Sequence, residues 1–285
     1  QLLQNIAAKA SNRDELRKRI DETRIFISTV ASINGKKELF SLKKFDVAII
    51  DEASQILEPQ IIGLLPLFDK FIMIGDHNQL PAIVLQNNIN STINERELTE
   101  IGITNCADSL FERLMRRAIN NNWDHCHSQL TVQGRMHNEI SAFPSTFFYP
   151  NKLLPANDWQ SEEWSSNFKS EKDILEQIVS ERRVAFFSTE RLAINNASHK
   201  TNENEATMAV AIVESLKKIY EHDNRKFDTN NIGIIAPYRN QIALIKHKLQ
   251  ESGILHYENI MVDTVERFQG SQRDIIIISF CINQH

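Results

Sequence analysis

What most constrains this chain is a repeated device: a short apolar run that stops abruptly at small and acidic residues. Phe45–Ile50 (FDVAII) runs into Asp51-Glu52-Ala53-Ser54-Gln55, and residues 71–74 (FIMI) run into Gly75-Asp76. Runs this short, without strict alternation, read as strands covered on both faces. Similar runs recur at residues 232–236 (IGIIA), 260–264 and 274–281 (DIIIISFC). Helical segments are expected between them. One spans residues 56–67 and starts near Glu58-Pro59, because proline suits a first helical turn. Others are expected over residues 110–119, 136–148 and 202–220, and over Arg239–Glu251. Strands alternating with helices imply an α/β fold with a mostly parallel sheet flanked by helices. In such sheets ligands bind beyond the carboxyl ends of the strands.

The remaining segments are less regular. Residues 1–22 read as a helix or helical hairpin, and residues 24–33, 128–131 and 183–188 as further strands. The Asn-rich stretch 85–103 reads as a mobile loop, and residues 155–170 as an irregular excursion.

Composition excludes several classes. Hydrophobic residues make up 41% and charged residues 24%, which is ordinary globular usage. No uncharged apolar run approaches the ~18 residues of a membrane span, so no membrane association is expected. Three scattered cysteines exclude a disulfide scaffold and fit a reducing, intracellular setting, cytoplasmic or nuclear. The net charge of −5 gives no support to nucleic-acid binding, although a local basic groove can act inside an acidic protein. The chain starts at Gln1 and stops just after a strand, so it reads as a portion of a longer protein.

The chemistry-bearing residues cluster at the expected strand ends. Of the adjacent carboxylates Asp51 and Glu52, one can hold a Mg²⁺ that bridges nucleotide phosphates, and the other can orient or deprotonate an attacking water. An isolated Asp-Glu pair is most often a solvated turn. Here a second strand end supplies Gly75, Asp76 and Gln79, and a glutamine can contact a terminal phosphate or its attacking water. Arg135, between a strand and a helix of the second half, can neutralise charge on a transferring phosphoryl group; its bland alternative is a surface salt bridge. Thr264 can hydrogen-bond a nucleic-acid phosphate, and Gly270 permits close backbone approach. The aromatic cluster Phe143, Phe147, Phe148 and Tyr149 reads as core packing. Asp124-His125-Cys126-His127 could suggest zinc, but adjacent ligands rarely converge on one tetrahedral ion.

Taken in order, DEASQ, GDHNQLP, QGRMH and VERFQGSQRD resemble the Walker B motif and motifs III, IV and V of superfamily 1 helicases. The resemblance is to subgroup B, the group of the nonsense-mediated-decay helicase, senataxin and the immunoglobulin-mu-binding helicase. It runs from about residue 24 to about residue 280, with supporting matches in SLFERL (109–114), in Asn202 with Glu205-Ala206, and in IAPYRNQ (235–241).

The resemblance implies two RecA-like lobes of P-loop NTPase type, residues 1–124 and 125–285, with ATP and Mg²⁺ between them. It implies that Asp51 holds the metal, that Glu52 is the catalytic base, and that Gln79 and Arg135 contact the γ-phosphate. Gly270 and Gln272 fall in the nucleotide-coupling motif. Thr29, Pro237, Tyr238 and Thr264 fall where the family touches single-stranded DNA or RNA. A fused or associated nuclease or protein partner would suit such a motor.

The sequence also departs from the family. No G-x-x-x-x-G-K-[ST] loop occurs, so the phosphate loop is expected upstream of Gln1 and this portion alone is expected not to be ATPase-competent. Motif VI is not reached. Gly134 replaces an aromatic residue and Gln272 a glutamate. These differences leave a non-catalytic RecA-like scaffold as the alternative reading, and a nucleotide hydrolase unrelated to nucleic acid as a third.

Overall fold

The computed structural model describes residues 13–84, 86–163, 166–170, 173–189 and 200–281. The first part of the expected helix at residues 1–22 lies outside them. The chain divides into two compact units, with the boundary between Gln129 and Leu130.

The first unit contains α1 (Arg13–Glu22), α2 (Val30–Asn34), α3 (Leu39–Leu42), β1 (Phe45–Ile50), α4 (Glu58–Ile61), β2 (Phe68–Met73), α5 (Asn88–Ser91), α6 (Arg96–Glu100) and α7 (Leu110–Asn120). β1 and β2 pair in parallel, with Phe45 opposite Phe68 and Ile50 opposite Met73. Ile61, Leu65 and Leu110 form the buried centre, and Ile50 and Met73 pack against it from the strand ends. A buried ion pair fastens α7 to α4: Arg113 donates to both Glu58 carboxylate oxygens, at 2.7 and 2.5 Å.

The second unit contains β3 (Val132–Gln133), α8 (Asn138–Phe148), β4 (Leu154–Pro155), α9 (Ile174–Glu181), α10 (Glu203–His222), β5 (Ile232–Ile235), α11 (Arg239–Glu251), β6 (Met261–Asp263), α12 (Val265–Phe268) and β7 (Ile275–Ile278). β3 pairs with β4, and a three-stranded sheet runs in the order β6-β5-β7, all parallel. In α10, Ala206, Ala209, Val210, Val213, Leu216 and Ile219 are buried at helical spacing, which builds one apolar stripe. They pack with Ile232 and Ile234 of β5, with Ile242, Ile245 and Leu249 of α11, and with Val262 and Ile277. Gly233 admits the Phe268 ring against β5, since a Cβ at 233 would lie 2.5 Å from it. That contact seats α12.

Both units therefore have the expected α/β architecture of parallel strands flanked by helices. Several local expectations are corrected. Residues 24–29 join no ladder among the described residues, and Ile25 and Ile27 are exposed. Thr29 then caps α2 by accepting from the Ser32 N–H at 3.2 Å. A β-branched run becomes a strand only where a neighbour offers pairing, and a Thr oxygen at the cap instead starts a helix. Residues 183–188 also join no ladder among the described residues: the chain bends at 183–184, and Val184 and Phe186 are exposed.

The described part of segment 85–103 is not structureless. It forms α5 and α6 and closes through an antiparallel bridge between Thr92 and Asn105. Its Asn and Ser side chains favour caps and turns over disorder; Asn87, for example, caps α5. The aromatic cluster is not core packing, because Phe143, Phe147 and Phe148 are exposed while Ser141 and Ser145 of the same helix are buried.

Candidate nucleotide site and strand-contact edge

The acidic corner of the first unit is built by the parallel pairing of β1 and β2. The Ile74 N–H donates to the Ile50 carbonyl and the Ala53 N–H to the Ile74 carbonyl, both at 2.8 Å, so the ladder continues past the strand ends. Between these bonds Glu52 takes a left-handed conformation, φ 51° and ψ 39°. For a non-glycine residue this is uncommon and costs about 1–3 kcal/mol; such strain concentrates at functional sites. Asp51 and Glu52 are both exposed. One Asp51 oxygen accepts from the Glu52 N–H at 3.1 Å, and one Glu52 oxygen accepts from the Gln55 side-chain amide at 3.1 Å.

Buried Ser54 joins this corner to the one after β2, its hydroxyl accepting from the Asp76 N–H at 3.3 Å. Gly75 passes so close that a Cβ would lie 2.9 Å from the Ser54 nitrogen. Gln79 donates through its side-chain amide to Asp76 at 2.8 Å. Asp51, Glu52 and Gln79 thus belong to two loops locked to each other at one sheet edge. Ser54 and Asp76 are the residues that lock them; neither carries a chemical role in the motif pattern.

Asp51 suits Mg²⁺, an ion that takes oxygen ligands and is commonly held by one or two carboxylates plus phosphate. Its second carboxylate oxygen accepts from no protein donor, and no group of three or more His, Cys, Asp or Glu residues converges to hold a metal, both among the described residues.

In the second unit Arg135 sits on a turn fixed from beneath. The Gln133 side-chain oxygen accepts from the N–H groups of Arg135 (3.0 Å) and Met136 (2.7 Å). Gln160, fully buried, donates to the carbonyls of Gln133 (3.0 Å) and Met136 (2.7 Å), and accepts from the Ala156 and Asn157 N–H groups. Arg135 is exposed. Gly134 has only ordinary contacts beyond its hydrogen, so the turn does not require glycine there. Sequence reading gave neither Gln133 nor Gln160 a role; they lie 27 residues apart, and no local pattern links them.

Pro237, Tyr238 and Thr264 stand together at the carboxyl ends of neighbouring parallel strands, since Ile235 of β5 is opposite Asp263 of β6. Tyr238 is 39% exposed at the start of α11. Thr264 begins α12, and its hydrogen bond to Glu266 is the main cause that holds that carboxyl below its usual pKa. Gly270 and Gln272 are not at this cluster; they lie in the connector that leads to the amino end of β7, where Ile275 is opposite Ile232. Gly270 has φ +76°, which explains a glycine there without any ligand.

Two family models, both described as AAA domain, match residues 1–87 and 106–285. The DNA replication ATP-dependent helicase/nuclease DNA2 of Xenopus laevis is 31% identical over 259 residues, covering 85% of this chain and 22% of that protein. Its namesake in Homo sapiens is 29% identical over 271 residues, covering 90% and 23%. The uncharacterized ATP-dependent helicase MJ0104 of Methanocaldococcus jannaschii is 30% identical over 275 residues, covering 95% and 37%. The chain therefore spans well under half the length of these relatives. With the AAA domain match covering more than half of the chain, and the helicase motifs on the strand ends where they are expected, this chain belongs to the AAA-domain family of superfamily 1 helicases.

Proposed function

We propose that this chain is the motor portion of an ATP-dependent helicase or translocase acting on single-stranded nucleic acid. The observation that carries the reading is the locked acidic corner: a strained Glu52 beside Asp51, tied through Ser54 to the loop that presents Gln79. In this reading Asp51 holds Mg²⁺, which when bound neutralises phosphate charge and orients the triphosphate. Glu52 accepts a proton from the attacking water. Gln79 orients that water or the terminal phosphate. Arg135, exposed on its braced turn, neutralises charge on the transferring group. Gly270 and Gln272 lie on the nucleotide side of motif V, where Gln272 stands in place of the family's coupling glutamate. The two units are the two RecA-like lobes, within subgroup B of the superfamily.

Thr29, Pro237, Tyr238 and Thr264 contact the strand, Tyr238 by stacking and Thr264 through a phosphate. The names of the relatives support DNA as the strand and a nuclease in the whole protein, with an intracellular site of action. No helix among the described residues is long and apolar enough to cross a membrane.

Titration of a fluorescein-labelled thymidine oligonucleotide tests the strand contact. Tyr238→Ala is expected to weaken binding about tenfold, the scale of one lost base stack, with the fold intact. Thr264→Ala should weaken it less. Unchanged affinity in both variants would refute the contact.

A further inference from the structure

Three elements of the second unit meet at the carboxyl edge of its sheet through one fully buried polar side chain, Gln241. This residue lies on the first turn of α11, three residues after Tyr238. Its side-chain oxygen accepts from the Asn202 N–H at 2.7 Å, and its amide donates to the Asn202 carbonyl at 2.9 Å and to the Ser279 hydroxyl at 3.1 Å. The Ser279 hydroxyl donates onward to Glu205 at 2.8 Å. The same Glu205 oxygen takes the Cys281 N–H at 2.7 Å, and its other oxygen takes the Asn202 side-chain amide at 3.2 Å. The Ser279 N–H donates to the carbonyl of Ile235, the last residue of β5. The starts of α10 and α11 and the chain beyond β7 are therefore held in one hydrogen-bonded frame.

Apolar packing does not account for a polar residue here. Ala236, Ile242 and Ile277 are buried around the frame, so a leucine at 241 would extend the core. What an amide adds is direction: each partner must sit at a fixed distance and angle, and a fully satisfied buried network specifies one arrangement. Tyr238 is tied to that arrangement, because its carbonyl accepts the Ile242 N–H of the same helical turn.

We propose that Gln241, acting with Ser279 and Glu205, is a positioning residue that sets the pose of the Pro237-Tyr238 segment for single-strand binding. This rests on the strand-contact reading above.

Fluorine NMR of the chain labelled with 3-fluorotyrosine, with Tyr238→Phe to assign the resonance, tests the pose independently of any strand. In Gln241→Leu the Tyr238 signal should move and broaden while that of Tyr220 stays in place. Oligonucleotide affinity should fall about tenfold, the worth of one stacking contact. The double variant Gln241→Leu/Tyr238→Ala should bind no more weakly than Tyr238→Ala alone. Should Gln241→Leu fail to fold, Ser279→Ala, which removes one arm of the frame, is read in the same way. An unmoved Tyr238 signal, or losses that simply add in the double variant, overturns the positioning role. A moved signal in a chain with no affinity for the oligonucleotide instead overturns the strand contact on which the proposal stands.

Discussion

The two units hold their candidate residues by different physics. In the second unit β5 is sealed: Ile232, Gly233 and Ile234 are buried, and a continuous apolar cluster from α10, α11 and the sheet surrounds them. In the first unit no residue of β1 or β2 is fully buried, and among the described residues Ile61, Leu65 and Leu110 form the buried cluster beneath their ends. The acidic corner is consequently held by backbone ladder bonds, the closeness of Gly75 to Ser54, and the Arg113–Glu58 pair. The edge carrying Tyr238 and Thr264 rests on a core. A strained carboxylate loop can therefore be kept by hydrogen bonds around a thin core, and a stacking edge by packing with a buried polar frame.

Substitutions can break this contrast. The largest effect is expected from Glu58→Ala, which leaves the Arg113 guanidinium, only 11% exposed, without its counter-charge. Loss of one partner of a buried pair costs about 3–5 kcal/mol. Hydrogen exchange should show the loss confined to the first unit; protection lost equally in both units would contradict the contrast. Ile245→Ala, at a fully buried site of the second unit, should cost about 3 kcal/mol in urea unfolding, as core truncations do. A cost below about 1 kcal/mol would show that the core is looser than described.

A smaller loss, about 1 kcal/mol, is expected for Ser54→Ala, which removes one hydrogen bond to Asp76. Its larger consequence should be in turnover, because Gln79 rides on the same loop. Equal turnover in wild type and variant would show that the lock is structural only.

The mildest test is chemical. Burial first, and Glu205 second, push the Cys281 thiol up to about 11, whereas Cys106 and Cys126 are exposed. Because the pKa is raised on folding, the stabilisation is complete below the unfolded value near 9.0 and is lost as pH rises through about 11. Near neutral pH, iodoacetamide should label Cys106 and Cys126 first, since a shift from 9.0 to about 11 leaves about a hundredfold less thiolate at Cys281. Prompt labelling of Cys281 in the folded chain would count against the sealed edge.

Much of this was legible in the sequence where a local pattern carries the physics. FDVAII marks β1, and the apolar runs at 232–236 and 274–281 mark β5 and β7, because parallel strands are short and apolar; of the three only β5 is sealed, and the expected cover on both faces is not found over β1 among the described residues. The shared edge of Asp51 and Gln79 follows from two such strands ending in DE and GD. Residues 24–29 and 183–188 misled because strand composition says nothing about an available neighbour. The exposure of Phe143 and Phe147 was illegible for the converse reason, since hydrophobicity does not tell which face has a partner. Gln133, Gln160 and Gln241 act across 24 to 39 residues of chain, and amides offer no periodicity to announce that.

The most direct test of the motor reading is phosphate release from ATP by the whole protein, with and without single-stranded DNA, comparing wild type with Glu52→Gln. Strand-stimulated release is expected in wild type, with a loss of about 10²-fold or more in the variant as for removal of a general base, and unchanged oligonucleotide affinity. Undiminished, strand-stimulated release by Glu52→Gln would contradict the motor reading.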